Sequence, residues 1–203
     1  MEIVLMLLMR LALLESPTLR DESPKNKAYI ESVKTMSQLY VEVGGAGEVV
    51  SPKVDPLLLA AMGYEESRHR VRSKDGDCDR TEKPYCHAVG PMQVGKTLPK
   101  QMAKRDSWWA TITTEKLREP RTSVEAAYRL LRHWKGACKG GPVEWLGAWS
   151  AGKCVGKIQL GKRRCALAKA FGEEVGADVA CSAPATDDAT MRRIAAIRKK
   201  EEE

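Results

Sequence analysis

Asp55-Pro56-Leu57-Leu58-Leu59-Ala60-Ala61-Met62-Gly63-Tyr64-Glu65-Glu66-Ser67 is the stretch of this 203-residue chain that decides its fold. Aspartate followed by proline opens a helix: Asp55 serves as N-cap, and Pro56 brings a helical φ to a position where a missing N–H costs nothing. From Leu57 to about Arg68 the segment is apolar on nearly all sides, which predicts a buried central helix. Two acids stand at its end. Burial among apolar groups and the negative end of the helix dipole both disfavour ionisation there, so a carboxyl at this place is suited to acid–base chemistry near neutral pH. Glu66 is the candidate, with Glu65, read as a solvent-facing neighbour, as its rival.

Upstream, Ile30, Val33, Met36, Leu39 and Tyr40 recur at steps of three and four and predict an amphipathic helix ended by Gly44, Gly45 and Gly47. Residues 15 to 25 are polar with two prolines and read as a linker. The apolar run Ile3 to Leu14 follows Glu2 instead of a basic segment, is interrupted by Arg10 and lacks a small-residue cleavage site. It reads as a degenerate export signal, a piece of a signal that starts upstream, or a helix packed on the domain, and it is too short to span a bilayer. Downstream, residues 73 to 87 form a surface excursion rich in charge, glycine and cysteine. Further helices are expected over 97–105, 123–138, 143–150 and 162–175, and from Pro184 onward a charged, solvated tail. No run alternates as a strand should. The fold class is therefore mainly α with few or no strands, divided into a segment 1–25, one domain 26–182 and a tail 183–203.

Lys and Arg number 34 against 27 acids, a net charge of +7 that favours contact with an anionic polymer or surface without choosing which. The basic residues are scattered and no helix-turn-helix, zinc or RNA-binding pattern accompanies Trp108-Trp109, which argues against a nucleic-acid partner. Cys78, Cys86, Cys138, Cys154, Cys165 and Cys181 are an even set without a CxxC pair, which fits disulfides in an oxidising compartment better than zinc or redox motifs. Neighbour pairing (78 with 86, 138 with 154, 165 with 181) is one of many connectivities. Neither a metal nor another cofactor is expected. Cys86-His87 lacks a second ligand pair, and the Asp75, Asp77, Asp79 run departs from a calcium loop at Arg80 and Cys86.

Three blocks, taken in order, resemble the lytic transglycosylase domain of the soluble transglycosylase family and, more distantly, goose-type lysozyme. Asp55 to Met62 running into Glu66-Ser67 is similar to that family's "DPxLLxAxxxxES" helix. Val89-Gly90-Pro91-Met92-Gln93-Val94 is similar to its "GxMQ" turn, and Ala148-Trp149-Ser150-Ala151-Gly152 stands where the family has "AYNAG". The resemblance covers about residues 28 to 172. It implies a lysozyme-like fold of the α+β lysozyme superfamily, a peptidoglycan glycan strand as substrate, a monomer, and a periplasmic or extracellular location, with a bacterium or a phage as the source.

It also implies roles. Glu66 would protonate the leaving glycosidic oxygen and then take a proton from the sugar's own hydroxyl, leaving a 1,6-anhydro-muramyl end at a cut MurNAc–GlcNAc β-1,4 bond. Ser67 would bond near the carboxyl or cap the helix; Met92 and Gln93 would line the cleft, and Gly90 would let the backbone turn close to substrate. The third block departs from the family where tyrosine and asparagine become Trp149 and Ser150. An indole offers a flat face and one N–H but no phenolic hydroxyl, and it serves equally as core packing. Two other readings stay open: a lysozyme-type hydrolase drawing a second carboxylate from Asp75 to Asp79, and a non-catalytic wall-binding protein.

Overall fold

Helix α3 (Asp55–Ser67) buries every residue from Asp55 to Tyr64, and the other helices are arranged around it. The computed structural model describes residues 2–15, 23–46, 49–70, 88–154, 156–181 and 187–198. Cys78, Cys86, Asp75, Asp77 and Asp79 lie outside them. Around α3 stand α1 (Glu2–Glu15), α2 (Pro24–Gly45), α6 (Pro120–Ala137) and α8 (Ile158–Val175). Between α3 and α6 come a two-stranded antiparallel hairpin, β1 (Ala88–Val89) with β2 (Val94–Gly95), the short helices α4 (Leu98–Met102) and α5 (Thr114–Arg118), and a 3-10 turn, Ser107–Thr111. Helix α7 (Pro142–Ala151) packs on both α6 and α8, and α9 (Asp188–Arg198) closes the described chain. The described structure is mainly helical, as the sequence predicts.

Local chemistry sets the helix ends. Ser23 caps α2 by accepting from the amide of Asn26, with Pro24 beside it. Pro142 opens α7 and Gly152, at φ 68°, ends it in the left-handed region that glycine enters without cost. Asp55 departs from expectation: it is the first residue of α3 and not its cap. Its fully buried carboxylate accepts from the amides of Val49, Val50 and Ser51 (2.9, 2.8 and 3.2 Å) and from the Tyr128 hydroxyl (2.9 Å). It therefore ties the loop before α3 to α6. Such a charge is tolerated in the core because every donor around it is aimed at it.

The core extends past residues 26–182 on both sides. Leu7, Leu8 and Leu11 of α1 are buried, as are Ile194 and Ile197 of α9, and the two helices pack on one another. Arg10, which interrupts the apolar run in sequence, donates to the carbonyl of Ile197 (2.8 Å) and pairs with Glu174 (3.5 Å). Among the readings of the N-terminal run, the structure displays the packed helix, and residues 188–198 of the expected solvated tail are an amphipathic helix seated on the domain. Two disulfides, Cys138–Cys154 and Cys165–Cys181, each bridge 16 residues. The first ties the end of α6 to the chain after α7; the second ties α8 to the segment that follows it. Both fit an oxidising compartment. No helix among the described residues is long and apolar enough to cross a membrane.

Candidate active site

Glu66 sits in the last turn of α3, where the helix emerges from the core, and its side chain is 17% exposed. The end of this helix is fixed by an unusual pair of residues, Arg68 and His69, both in the left-handed region at φ 55° and 60°. Neither is glycine, so the surroundings must hold them there. Helix α2 does so: Tyr29 donates its hydroxyl to the Arg68 carbonyl and Ser32 to that of His69, each at 2.9 Å. The His69 ring is buried with Nδ1 3.1 Å from the Tyr40 hydroxyl, and burial first, then the Arg68 charge, lowers its pKa to about 3. The imidazole is therefore neutral. Tyr40 in turn lies so close to α3 that a Cβ on Gly63 would stand 1.9 Å from its hydroxyl, which is why a glycine interrupts the apolar run.

Two side chains from elsewhere converge on one oxygen of Glu66. The Ser150 hydroxyl, from α7, donates to Oε1 at 3.4 Å, and Nη2 of Arg164, from α8, forms a short ion pair with the same oxygen. Arg164 also donates to Ser150 Oγ (2.8 Å) and to the Leu146 carbonyl (2.7 Å), with its guanidinium 5.2 Å from the centre of the Trp149 ring. Its side chain is wholly buried. Oε2 of Glu66 makes no hydrogen bond among the described residues. One oxygen is anchored and the other has no partner among the described residues. Burial raises the Glu66 pKa and outweighs the opposing Arg164 charge; Glu65 pushes it further up, and the Ser150 hydrogen bond and Lys157 pull it down. Arg164 loses basicity by burial, yet a guanidinium stays protonated at any physiological pH, so the counter-charge is permanent.

Glu65 is the contrasting case, and it is not solvent-facing as the sequence suggests. Its side chain is 6% exposed, with Oε1 3.1 Å from Arg193 and Oε2 3.6 Å from Arg163. Each oxygen faces an arginine, and the side chain is nearly closed to solvent. Arg193 comes from α9, so the C-terminal helix is part of the device that separates the two glutamates.

The other sequence candidates divide. Ser150 does stand beside Glu66. Ser67 donates back to the Gly63 carbonyl (3.4 Å), a helix-end bond and not a contact to the carboxyl. Gly90, at φ 76°, admits a close approach, but of the protein's own chain: a Cβ there would meet the Leu117 carbonyl at 2.0 Å. Met92 is fully buried in the hairpin turn, its amide donating to Ser123 Oγ (3.1 Å) and its sulfur packed toward Gly63; it supports α3 from behind and does not line a cleft. Gln93, at φ 50°, commits its amide nitrogen to the Gly90 carbonyl (2.9 Å) and so closes the turn. Trp149 is 8% exposed, with the Arg164 guanidinium over its ring. Met92 and Trp149 thus pack within the fold, and the Gln93 side-chain nitrogen closes its own turn.

Arg164 is the residue the sequence reading misses. Its signal is visible afterwards: Arg164, Leu167, Ala168 and Phe171 fall at i, i+3, i+4 and i+7, so an arginine occupies the apolar stripe of α8, and all four are buried. A charge placed there requires a partner in the interior. Among the described residues no cluster of three or more His, Cys, Asp or Glu side chains is arranged to hold a metal. Set against known proteins, the chain matches no family model, no curated protein and no solved structure.

Proposed function

We propose that this chain is a peptidoglycan lytic transglycosylase that cuts the MurNAc–GlcNAc β-1,4 bond with Glu66 as its single acid and base. The observation that carries the reading is the asymmetry of that carboxyl: Oε1 is held by Arg164 and Ser150 while Oε2 has no partner among the described residues, on a partly exposed side chain whose pKa burial raises. Oε2–H donates to the glycosidic oxygen as the C1–O bond breaks. The resulting carboxylate, held by the Arg164 guanidinium, then accepts the proton of the sugar's C6 hydroxyl as O6 closes on C1. The proton count balances without water, and the product is a 1,6-anhydro end. Preorganised charge at the point where charge develops is the larger part of such catalysis. Hydrolysis would need a second carboxylate at a set separation, and Glu65, the nearest in sequence, has an arginine facing each oxygen. The disulfides and the positive balance fit a protein working on the anionic cell envelope.

The test is digestion of purified sacculi followed by mass spectrometry of the muropeptides. Anhydro-muramyl termini are expected. Release of reducing termini alone would replace this reading by the hydrolase one, and no release at all would favour a wall-binding protein.

A further inference from the structure

On another part of the surface, between the 3-10 turn and the outer face of α6, lies a cavity of about 800 Å³ that shares no residue with the Glu66 cluster. Its lining includes Arg105, Ser107, Trp109, Arg129, Arg132 and His133. The chemistry of this wall is one-sided. Its one carboxylate, Asp106, is already committed, accepting from the Trp108 amide (3.0 Å) and from Arg129 (2.7 Å). Arg129 is likewise committed, to Asp106 and to Glu125 (2.9 Å), with its guanidinium 4.5 Å from the Trp108 ring centre. Arg105 and Arg132 pair with no carboxylate among the described residues; Arg105 lies 3.4 Å from His133 Nε2, whose basicity burial and the Arg105 charge both lower. Finally, Trp109 is 1% exposed and its indole N–H is buried without a partner. Donors in this cavity outnumber acceptors, and two permanent cations stand uncompensated.

We infer that this cavity is a second binding site, for the carboxylates of the short peptides carried by a glycan strand, and that it holds the wall polymer while Glu66 acts elsewhere on it. This rests on the proposed substrate. Arginine forks match carboxylates bidentately, and the cavity lies within the range that accommodates a ligand of several residues instead of a lone ion.

The experiment uses the full chain carrying Glu66→Gln, so that bound fragments are not consumed, and soluble uncrosslinked glycan–peptide fragments as the probe, with calorimetry as the readout. Arg105→Ala with Arg132→Ala is expected to weaken binding by roughly tenfold or more, and fragments with amidated carboxylates are expected to lose a similar factor. Both arginines are exposed, so a native circular dichroism spectrum is expected to accompany the loss. Unchanged affinity in the double variant, or equal affinity for amidated fragments, would overturn the inference. Tighter binding of a single-stranded oligonucleotide of matched length would overturn it in favour of a nucleic-acid site. Failure of the two proposals is separable. Arginine-dependent binding without sacculus cleavage by the unmodified chain would leave this site standing, and cleavage with arginine-independent binding would remove only this site.

Discussion

Replacing Arg164 with methionine removes the one buried cation on Glu66 while keeping an unbranched side chain in the α8 stripe. The arginine's loss leaves the Leu146 carbonyl and Ser150 hydroxyl without their donor, a cost of about 1–3 kcal/mol that is independent of pH. The pH-dependent part comes from Glu66. Burial already raises its pKa, and without the guanidinium the charged form has lost its main support. The folded state then binds the carboxyl proton more tightly than the unfolded chain does. Stability is therefore fully present below the unfolded value of about 4.5 and is lost as pH rises above it. If Glu66 stayed protonated up to pH 7, the loss would reach a ceiling of about 3.4 kcal/mol, at about 1.36 kcal/mol per unit. Since the side chain is partly exposed, the gap is expected to widen with rising pH by less than that ceiling. Urea unfolding of both proteins at pH 4.5, 5.5 and 7 measures it. A stability gap that is the same at all three would refute the electrostatic role of Arg164, because cavity and hydrogen-bond losses do not titrate.

Three further perturbations follow from the same geometry. Gly63→Ala drives a methyl group into the Tyr40 hydroxyl, 1.9 Å away, and Tyr40 is fully buried; a loss of about 2 kcal/mol in urea is expected, and a loss under about 0.5 kcal/mol would show that Tyr40 moves aside freely. His69 is held neutral, so below about pH 6.5 the unfolded chain binds a proton that the fold refuses. Stability then falls with decreasing pH at up to about 1.4 kcal/mol per unit, and a His69→Asn variant is expected to show a flatter acid limb; identical limbs would exclude His69 as the source. Removing the Cys138–Cys154 bridge with a pair of serines frees a loop of 16 residues that carries Ser150, and is expected to cost about 3 kcal/mol of stability. An unchanged urea midpoint would contradict that.

How much of this was legible in the sequence depends on how far the deciding contact reaches along the chain. The central helix is written locally, in Asp55-Pro56 and eight apolar or small residues in succession, and the α2 stripe likewise in its three- and four-residue steps. Glu66 could be proposed from those cues. Its partner could not: Arg164 is 98 residues away and reaches Glu66 only because α8 packs across α3. The same distance explains Glu65, which looks solvent-facing until α9 brings Arg193 from 128 residues downstream. The N-terminal run is the extreme case. Whether it is a helix of the domain turns on Arg10 finding the carbonyl of Ile197, 187 residues on. Met92 and Gln93 teach a different lesson. The motif correctly marks a turn, and the turn is closed by its own residues and a neighbour: the Met92 amide donates to Ser123 and the Gln93 side-chain nitrogen to the Gly90 carbonyl.

The most direct test of the central claim compares the unmodified chain with Glu66→Gln and Glu65→Gln, each verified as folded, in clearing purified sacculi. Glu66→Gln is expected to abolish clearing, since an amide cannot donate and then accept the proton, and Glu65→Gln, which breaks a structural ion pair, is expected to retain measurable activity. Clearing by Glu66→Gln at the rate of the unmodified chain would contradict the proposed role of Glu66.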